Sequence, residues 1–140
     1  MSAAAVLRGF RDADHDAVLR LWRDVGLTIK PSDSLLELRK LVARNPGLFL
    51  VAEVDAELVG TVIGAWDGRR GWIYHLAVSP AHRRRGIGSK LMMEVERRLR
   101  EAGATKINLL IEPGNATIAA WYRALGYAAD ELIFMAKRLT

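Results

Sequence analysis

The chain contains no cysteine. Disulfides, zinc sites built on thiolates and a cysteine nucleophile are therefore all excluded. Its only three histidines are His15, His75 and His82, and because they are not at metal-ligand spacing we expect no structural metal. No apolar run approaches the roughly 20 residues needed to cross a bilayer, and residues 1–10 lack the apolar core of a secretory signal. These absences predict a soluble, cytoplasmic protein with no membrane partner.

Positive charge is present in excess, and it is concentrated. The net charge is +5, and residues 83–100 hold seven basic residues against two acidic ones, namely Arg83, Arg84, Arg85, Lys90, Arg97, Arg98 and Arg100 against Glu94 and Glu96. Such a patch attracts polyanions, which include nucleic acids and phosphorylated small molecules. Nucleic-acid binding predicts a steep salt dependence, but no aromatic residues interleave with the patch and no nucleic-acid-binding motif is present. We therefore expect a phosphorylated small molecule and no nucleic-acid partner.

The most specific pattern is a short basic turn, Arg83-Arg84-Arg85-Gly86-Ile87-Gly88-Ser89, between the apolar run 72–78 and a helical pattern at 91–102. The first turn of a helix leaves backbone N–H groups without partners and carries partial positive charge. Gly86 and Gly88 let an anion come close to those N–H groups. The spacing fits neither the mononucleotide P-loop nor the dinucleotide-binding fingerprint. The turn therefore predicts a phosphate site of a different type, Arg-x-x-Gly-x-Gly.

Hydrophobic periodicity predicts an α+β fold in one domain, residues 1–140. In order, we expect a strand at 5–8, a helix ending at Gly26, a helix from Ser34 to Asn45, strands at 48–54, 58–66 and 72–78, a helix ending at Gly103, a strand at 106–111, a short helix capped by Asn115, and strands at 127–130 and 132–138. Short turns join the three middle strands, which should be antiparallel neighbours. The strand–helix–strand passage through the basic turn implies a parallel pair.

This order and two motifs resemble the GCN5-related N-acetyltransferase (GNAT) superfamily over nearly the whole chain, and in particular its small bacterial stand-alone members. The first motif is Arg83-x-x-Gly86-x-Gly88, preceded by Leu76-Ala77-Val78-Ser79-Pro80. The second is Asn115-x-x-x-Ala119-x-x-Tyr122-x-x-Leu125-Gly126-Tyr127. The resemblance implies a mixed, mostly antiparallel sheet of about six or seven strands flanked by four helices, in which the fourth and fifth strands splay apart.

The resemblance also implies a reaction, the transfer of an acetyl group from acetyl-CoA to an amine by direct attack in a ternary complex. The residues implied to bind the cosubstrate are Leu76, Ala77, Val78, Arg83, Arg84, Arg85, Gly86, Ile87, Gly88, Ser89, Asn115 and Tyr122. The diphosphate would bind at the basic turn, and pantetheine would lie along the backbone near Leu76 and Val78. An N–H at Ala77 or Val78 would stabilise the oxyanion.

The resemblance makes Tyr122 the acid that protonates the leaving thiolate, although a tyrosine beside Trp121 at helical spacing is also typical of a core. Family members often use a glutamate as general base, either on the fourth strand or five residues before the asparagine, where this chain has Leu110. His75 and Glu112 are the candidate bases that we single out, and Glu53 and a water relay stay open. No carboxylate lies on the fourth strand, and this motivates an alternative function, a CoA-binding regulatory module without turnover.

The acceptor is an unidentified amine of a small molecule or a peptide. In the family, the loop at 26–34, the hairpin at 67–71 and the last strands form the acceptor site, and here their charges are mixed. Asp33 or Asp67 can hold an ammonium group, although turn chemistry already accounts for Asp67. The resemblance is compatible with a monomer or a homodimer.

Overall fold

The computed structural model describes residues 4–112, 115 and 117–140 of the chain. The chain divides into two compact units, Met1–Leu109 and Leu110–Thr140. The strands are Val6–Gly9 (β1), Phe49–Val54 (β2), Glu57–Trp66 (β3), Gly71–Val78 (β4) and Ile107–Leu109 (β5). The helices are His15–Asp24 (α1), Leu35–Arg44 (α2), Ile87–Ala102 (α3) and Ile118–Ala124 (α4), and short 3-10 turns lie at Asp12–Asp14, Pro31–Asp33 and Pro80–His82.

The first unit is built on one five-stranded sheet in the order β1-β2-β3-β4-β5. The first four strands pair antiparallel, as expected for strands joined by tight turns, and β5 pairs parallel to β4 after the α3 crossover. The predicted α+β architecture with a mixed, mostly antiparallel sheet is therefore confirmed.

The pairing of β4 with β5 stops early. Only Gly71, Ile73 and the residue between them pair with β5, opposite residues 107–109. The rest of β4, residues 74–78, has no strand partner on that side within the described part of the chain. β5 itself ends at Leu109, so the second half of β4 forms an edge without a paired strand. The splaying of the fourth and fifth strands stays a prediction.

Helices cover both faces of the sheet. On one face, α1 contributes Val18, Leu21 and Trp22 to a buried cluster that includes Ile63 of β3. On the other face α3 lies very close to β3, since a Cβ atom built on Gly64 would come within 2.6 Å of a methyl group of Val95. Burial of both faces fixes the register of β3 and its neighbours, because a one-residue slip would exchange the faces.

Three predictions near the C-terminus are wrong. Residues 127–130 and 132–138 form no strand, so the described residues contain five strands rather than six or seven. The apolar residues of this segment predicted strands, but a strand also needs a neighbour to pair with, and composition alone does not provide one. Asn115 is not the cap of α4, because the helix starts two residues later, with Thr117 in the N-cap position and no side-chain cap bond.

No helix in the described part of the chain is both long enough and apolar enough to cross a bilayer.

Candidate functional site

The basic turn leads directly from the end of β4 into α3. After the 3-10 turn Pro80–His82, Arg84 has φ +63° and Gly86, the N-cap residue of α3, has φ +76°. Left-handed residues close to right-handed ones make neighbouring N–H groups converge into a concave anion site. The Arg83 side chain donates from Nε to the carbonyl of Val78 at 3.2 Å, which ties the turn to the end of β4.

Six consecutive backbone N–H groups in this turn have no acceptor. The first bond that closes α3 runs from the N–H of Lys90 to the carbonyl of Gly86 at 3.0 Å, and none of the N–H groups of residues 84–89 donates to another residue in the described part of the chain. A Cβ atom on Gly86 would meet nothing within 4 Å, so the space above it is open. Unpartnered N–H groups at the start of a long helix are a ready site for phosphate.

The charge at this turn comes from the three exposed side chains Arg83, Arg84 and Arg85. Further along α3, Arg97 and Arg98 bond Glu94 at 2.6 and 3.0 Å, and these bonds lower the pKa of that carboxyl to about 2. Lys90 donates to the backbone carbonyl of Ala5. Arg97 and Arg98 therefore share an acidic partner, whereas the neutral carbonyl of Ala5 does not offset the charge of Lys90.

A bulge interrupts β4 directly before this turn. His75 and Leu76 together oppose the single residue Val62 of β3, since Thr61 pairs with Ala77 and Ile63 with the residue before His75. His75 has φ +50°, a left-handed conformation that costs a residue with a side chain about 1–2 kcal/mol. Strain of this kind is typical of functional positions.

Two consecutive hydrogen bonds, which we call the relay, connect Trp22 of α1 through Thr61 of β3 to the bulge. The indole Nε1 of Trp22 donates to the Thr61 hydroxyl at 2.8 Å, and that hydroxyl donates to the carbonyl of His75 at 2.9 Å. Trp22 and Thr61 are both fully buried. The Trp22 ring also meets the His75 ring edge-on at a centroid distance of 4.5 Å.

The relay can be tested through Thr61→Val, which keeps the shape of the side chain but removes its hydroxyl. The change leaves the indole N–H of Trp22 and the carbonyl of His75 unpaired, and each buried unpaired group costs about 1–3 kcal/mol. We expect the free energy of unfolding, measured by urea denaturation, to fall by about 2 kcal/mol or more. Thr61→Ser keeps the hydroxyl and should lose much less; equal losses in the two variants would contradict the relay.

The imidazole of His75 lies beside a buried carboxylate. Its Nε2 is 2.9 Å from Oδ1 of Asp33, while Oδ2 of Asp33 accepts the backbone N–H of Lys30 at 2.9 Å. Nε2 of His15 bonds the backbone carbonyl of Asp33 at 2.9 Å, which ties the 3-10 turn to α1. The sequence predicted that Asp33 could bind the ammonium group of the acceptor, whereas in the structure this carboxylate is buried against His75. No local signal could have revealed a pair whose members are 42 residues apart.

The other candidate residues lie in three places. Leu76, Ala77 and Val78 form the second half of β4, beside the turn. Glu53 bonds Arg8 at 2.6 Å, so this alternative base is engaged elsewhere. Asp67 accepts the backbone N–H groups of Arg69 and Arg70 in the hairpin, as turn chemistry predicted.

The second unit carries the remaining three candidates. Glu112 and Asn115 are exposed, and a backbone bond of 2.9 Å joins the N–H of Asn115 to the carbonyl of Glu112. Tyr122 lies on α4 with its ring edge-on to Trp121 and Tyr127, at centroid distances of 5.1 and 5.8 Å. Burial raises the pKa of the Tyr122 phenol to about 12, so the phenol is protonated at neutral pH.

Comparison with known proteins agrees with this architecture. Residues 15–127 match the acetyltransferase (GNAT) family. An acetyltransferase of Pectobacterium atrosepticum is 38% identical over 133 residues, covering 95% of this chain and 94% of the relative. An acetyltransferase of Yersinia enterocolitica is 34% identical over the same shares of the two chains.

Two solved structures share the fold at low identity. The PaiA N-acetyltransferase of Thermoplasma acidophilum, solved in complex with coenzyme A, superposes with a TM-score of 0.81 at 18% identity and 93% coverage of each chain. Ard1 of Thermoplasma volcanium gives a TM-score of 0.80 at 24% identity, with 90% of this chain and 84% of Ard1 covered. From its sequence match, its full-length relatives and its fold, this chain belongs to the GNAT family of acetyltransferases.

Proposed function

We propose that this acetyltransferase moves the acetyl group of acetyl-CoA to a primary amine of a small molecule or a peptide, by direct attack of the amine on the thioester in a ternary complex. The observation that carries the proposal is the row of unpartnered N–H groups at residues 84–89, beside the exposed side chains of Arg83, Arg84 and Arg85. These groups suit the diphosphate of CoA, because N–H donors and guanidinium groups both favour phosphate oxygens.

The open half of β4 supports the second part of the proposal. Residues 74–78 lack a strand partner toward β5, so their main-chain groups can bond an extended chain with amides, as an added strand would. Pantetheine is such a chain. In this arrangement the backbone of Leu76 and Val78 bonds the pantetheine amides, and an N–H at Ala77 or Val78 polarises the thioester carbonyl.

Residues of the second unit have proposed roles that rest on the family motif. Tyr122 protonates the departing sulfur, and its phenol holds the required proton at neutral pH. Asn115 contacts pantetheine or an ordered water. Thiolates are fair leaving groups near neutral pH, so the acid assists the step without being indispensable.

The test is an acceptor screen with acetyl-CoA, in which CoA thiol release is followed for spermidine, lysine, other amino acids and peptides with a free N-terminus. We expect release above the rate of thioester hydrolysis for at least one amine, and mass spectrometry should place the added acetyl group on its nitrogen. Tight CoA binding with no release on any amine would instead favour a CoA-binding regulatory module.

A further inference from the structure

Asp33 is a buried aspartate whose own 3-10 turn uses only one of its two carboxylate oxygens. Only 4% of the residue is exposed, and aspartate is almost never buried this far unless its charge is paired. One carboxylate oxygen, Oδ2, accepts the N–H of Lys30 and closes the 3-10 turn. That bond accounts for one oxygen. The other oxygen, Oδ1, is 2.9 Å from Nε2 of His75, on a different element.

A comparison within the chain shows which contact belongs to the turn itself and which does not. The 3-10 turn Asp12–Asp14 is built in the same way, with Oδ2 of Asp14 accepting the N–H of Arg11 at 2.8 Å. The other oxygen of Asp14 bonds the guanidinium of Arg8 at 2.7 Å, an ordinary ion pair. At the equivalent position of the second turn, the partner of Asp33 is an imidazole.

The contact with Asp33 determines which nitrogen of His75 carries the hydrogen. An ionised carboxylate only accepts hydrogen bonds, so Nε2 must be the N–H donor. The neutral ring then has its lone pair on Nδ1, and no residue in the described part of the chain bonds Nδ1. The side chain is 27% exposed, so it is not sealed in the core. This is the arrangement in which a carboxylate orients a histidine for proton transfer.

The surroundings hold this ring in one orientation. Trp22 meets it edge-on from α1, and the Thr61 hydroxyl of β3 bonds its backbone carbonyl. The residue sits at the bulge with φ +50°, two residues before Ala77 on the same strand. An imidazole that served only to fill space would not need a left-handed backbone and a buried carboxylate in addition.

We propose that His75 is the general base of the acetyl transfer and that Asp33 is the positioning residue that fixes its tautomer and orientation. The proposal rests on the function proposed above and adds the group that accepts the proton of the acceptor amine.

In the step, the nitrogen of a neutral amine bonds to the thioester carbonyl carbon, and Nδ1 of His75 takes one proton from that nitrogen. The C–S bond breaks with its electron pair going to sulfur, and the sulfur takes a proton from Tyr122 to give the CoA thiol. The imidazolium then returns its proton to solvent and the phenolate regains one, so the products are the amide and CoA. Asp33 stays ionised throughout.

The test compares Asp33→Asn and His75→Asn with Asp14→Asn, using acetyl-CoA and whichever of spermidine, lysine or a free-N-terminus peptide reacts fastest. Asparagine suits both sites, because it can still accept the turn N–H at position 33 and tolerates left-handed φ at position 75. We expect kcat to fall about 100-fold in His75→Asn and at least about ten-fold in Asp33→Asn. The KM for acetyl-CoA should change less than about two-fold, and Asp14→Asn should keep its kcat.

A second readout does not depend on activity. The ¹⁵N shifts of the His75 ring report the tautomer, and we expect hydrogen on Nε2 in the unmodified protein and a changed tautomer population in Asp33→Asn. Should Asp33→Asn fail to fold, hydrogen on Nδ1 in the unmodified protein would still overturn the proposal.

The assays distinguish failure of the base assignment from failure of the proposed acetyl transfer. A protein that acetylates an amine but keeps its kcat in Asp33→Asn and His75→Asn would overturn the assignment of the base and leave the proposed function intact. A loss of kcat confined to Glu112→Gln would also overturn it, since Glu112 is the competing base. An unmodified protein that acetylates no amine would overturn the proposed function and the base together.

Discussion

Gly86→Ala is expected to weaken binding of CoA and acetyl-CoA by ten- to 100-fold. Gly86 has φ +76° and nothing within 4 Å of the position where a Cβ atom would stand, so the added methyl group would project into the space above the free N–H groups of residues 84–89. Loss of one hydrogen bond to a charged group costs about 1.5–3 kcal/mol, which corresponds to that range of dissociation constants. Calorimetric titration with CoA measures the change.

The matched control is Gly68→Ala. Gly68 lies in the hairpin before β4 with φ +94°, and an added Cβ atom there also meets nothing within 4 Å. Both substitutions carry a similar backbone penalty, about 1–2 kcal/mol for a residue with a side chain in the left-handed region. Their melting temperatures should therefore fall by similar amounts, while only Gly86→Ala loses affinity for CoA. Unchanged affinity in a folded Gly86→Ala variant would remove the phosphate site from the turn.

The features that could be predicted from the sequence are those encoded over a few neighbouring residues. The basic turn is an example, because Gly86 supplies the left-handed residue that opens α3 and the apolar stripe of the helix follows at once. The antiparallel strands β2, β3 and β4 are a second example, since tight turns and apolar runs lie next to each other in the chain. Local patterns of this kind decide element type and order.

The bulge in β4 could not be predicted, because it depends on the register between two strands. Strict alternation would place Tyr74 and Ala77 on opposite faces, yet they pair with Ile63 and Thr61, which share a face of β3. One extra residue in β4 is enough to produce this change. The sequence named His75 as a candidate base but gave no indication of its strained backbone.

The contact between His75 and Asp33 could not be predicted, for a different reason. Asp33 is 42 residues away in the chain and belongs to a 3-10 turn whose own bonds already explain an aspartate at that position. Contacts between distant elements depend on how the helices pack on the sheet, which periodicity does not encode. The same limit applies to residues 127–130 and 132–138, where apolar residues predicted strands but no pairing partner is present among the described residues.

Tyr122 is the residue for which structural and chemical roles are hardest to separate. Its ring packs edge-on against Trp121 and Tyr127, as a core tyrosine would. Burial also raises the pKa of its phenol to about 12, so the group is a proton donor over the whole neutral range and cannot act there as a base. A phenylalanine keeps the packed ring and removes only the proton, which makes the two roles separable.

Tyr122→Phe is therefore expected to lower kcat about 100-fold, at the lower end of the usual contribution of a general acid, while the dissociation constant of CoA changes less than about two-fold. Stopped-flow detection of CoA thiol gives kcat, calorimetric titration gives the affinity, and circular dichroism checks the fold. The control is Tyr127→Phe, which removes a phenol from the same aromatic group and should leave kcat within about two-fold. Because a thiolate can leave without assistance, some turnover should persist in Tyr122→Phe and should decline less for a thioester whose thiol is more acidic. A variant that keeps its kcat, or one that loses its fold along with its activity, would show that Tyr122 acts in packing and that the sulfur takes its proton from elsewhere.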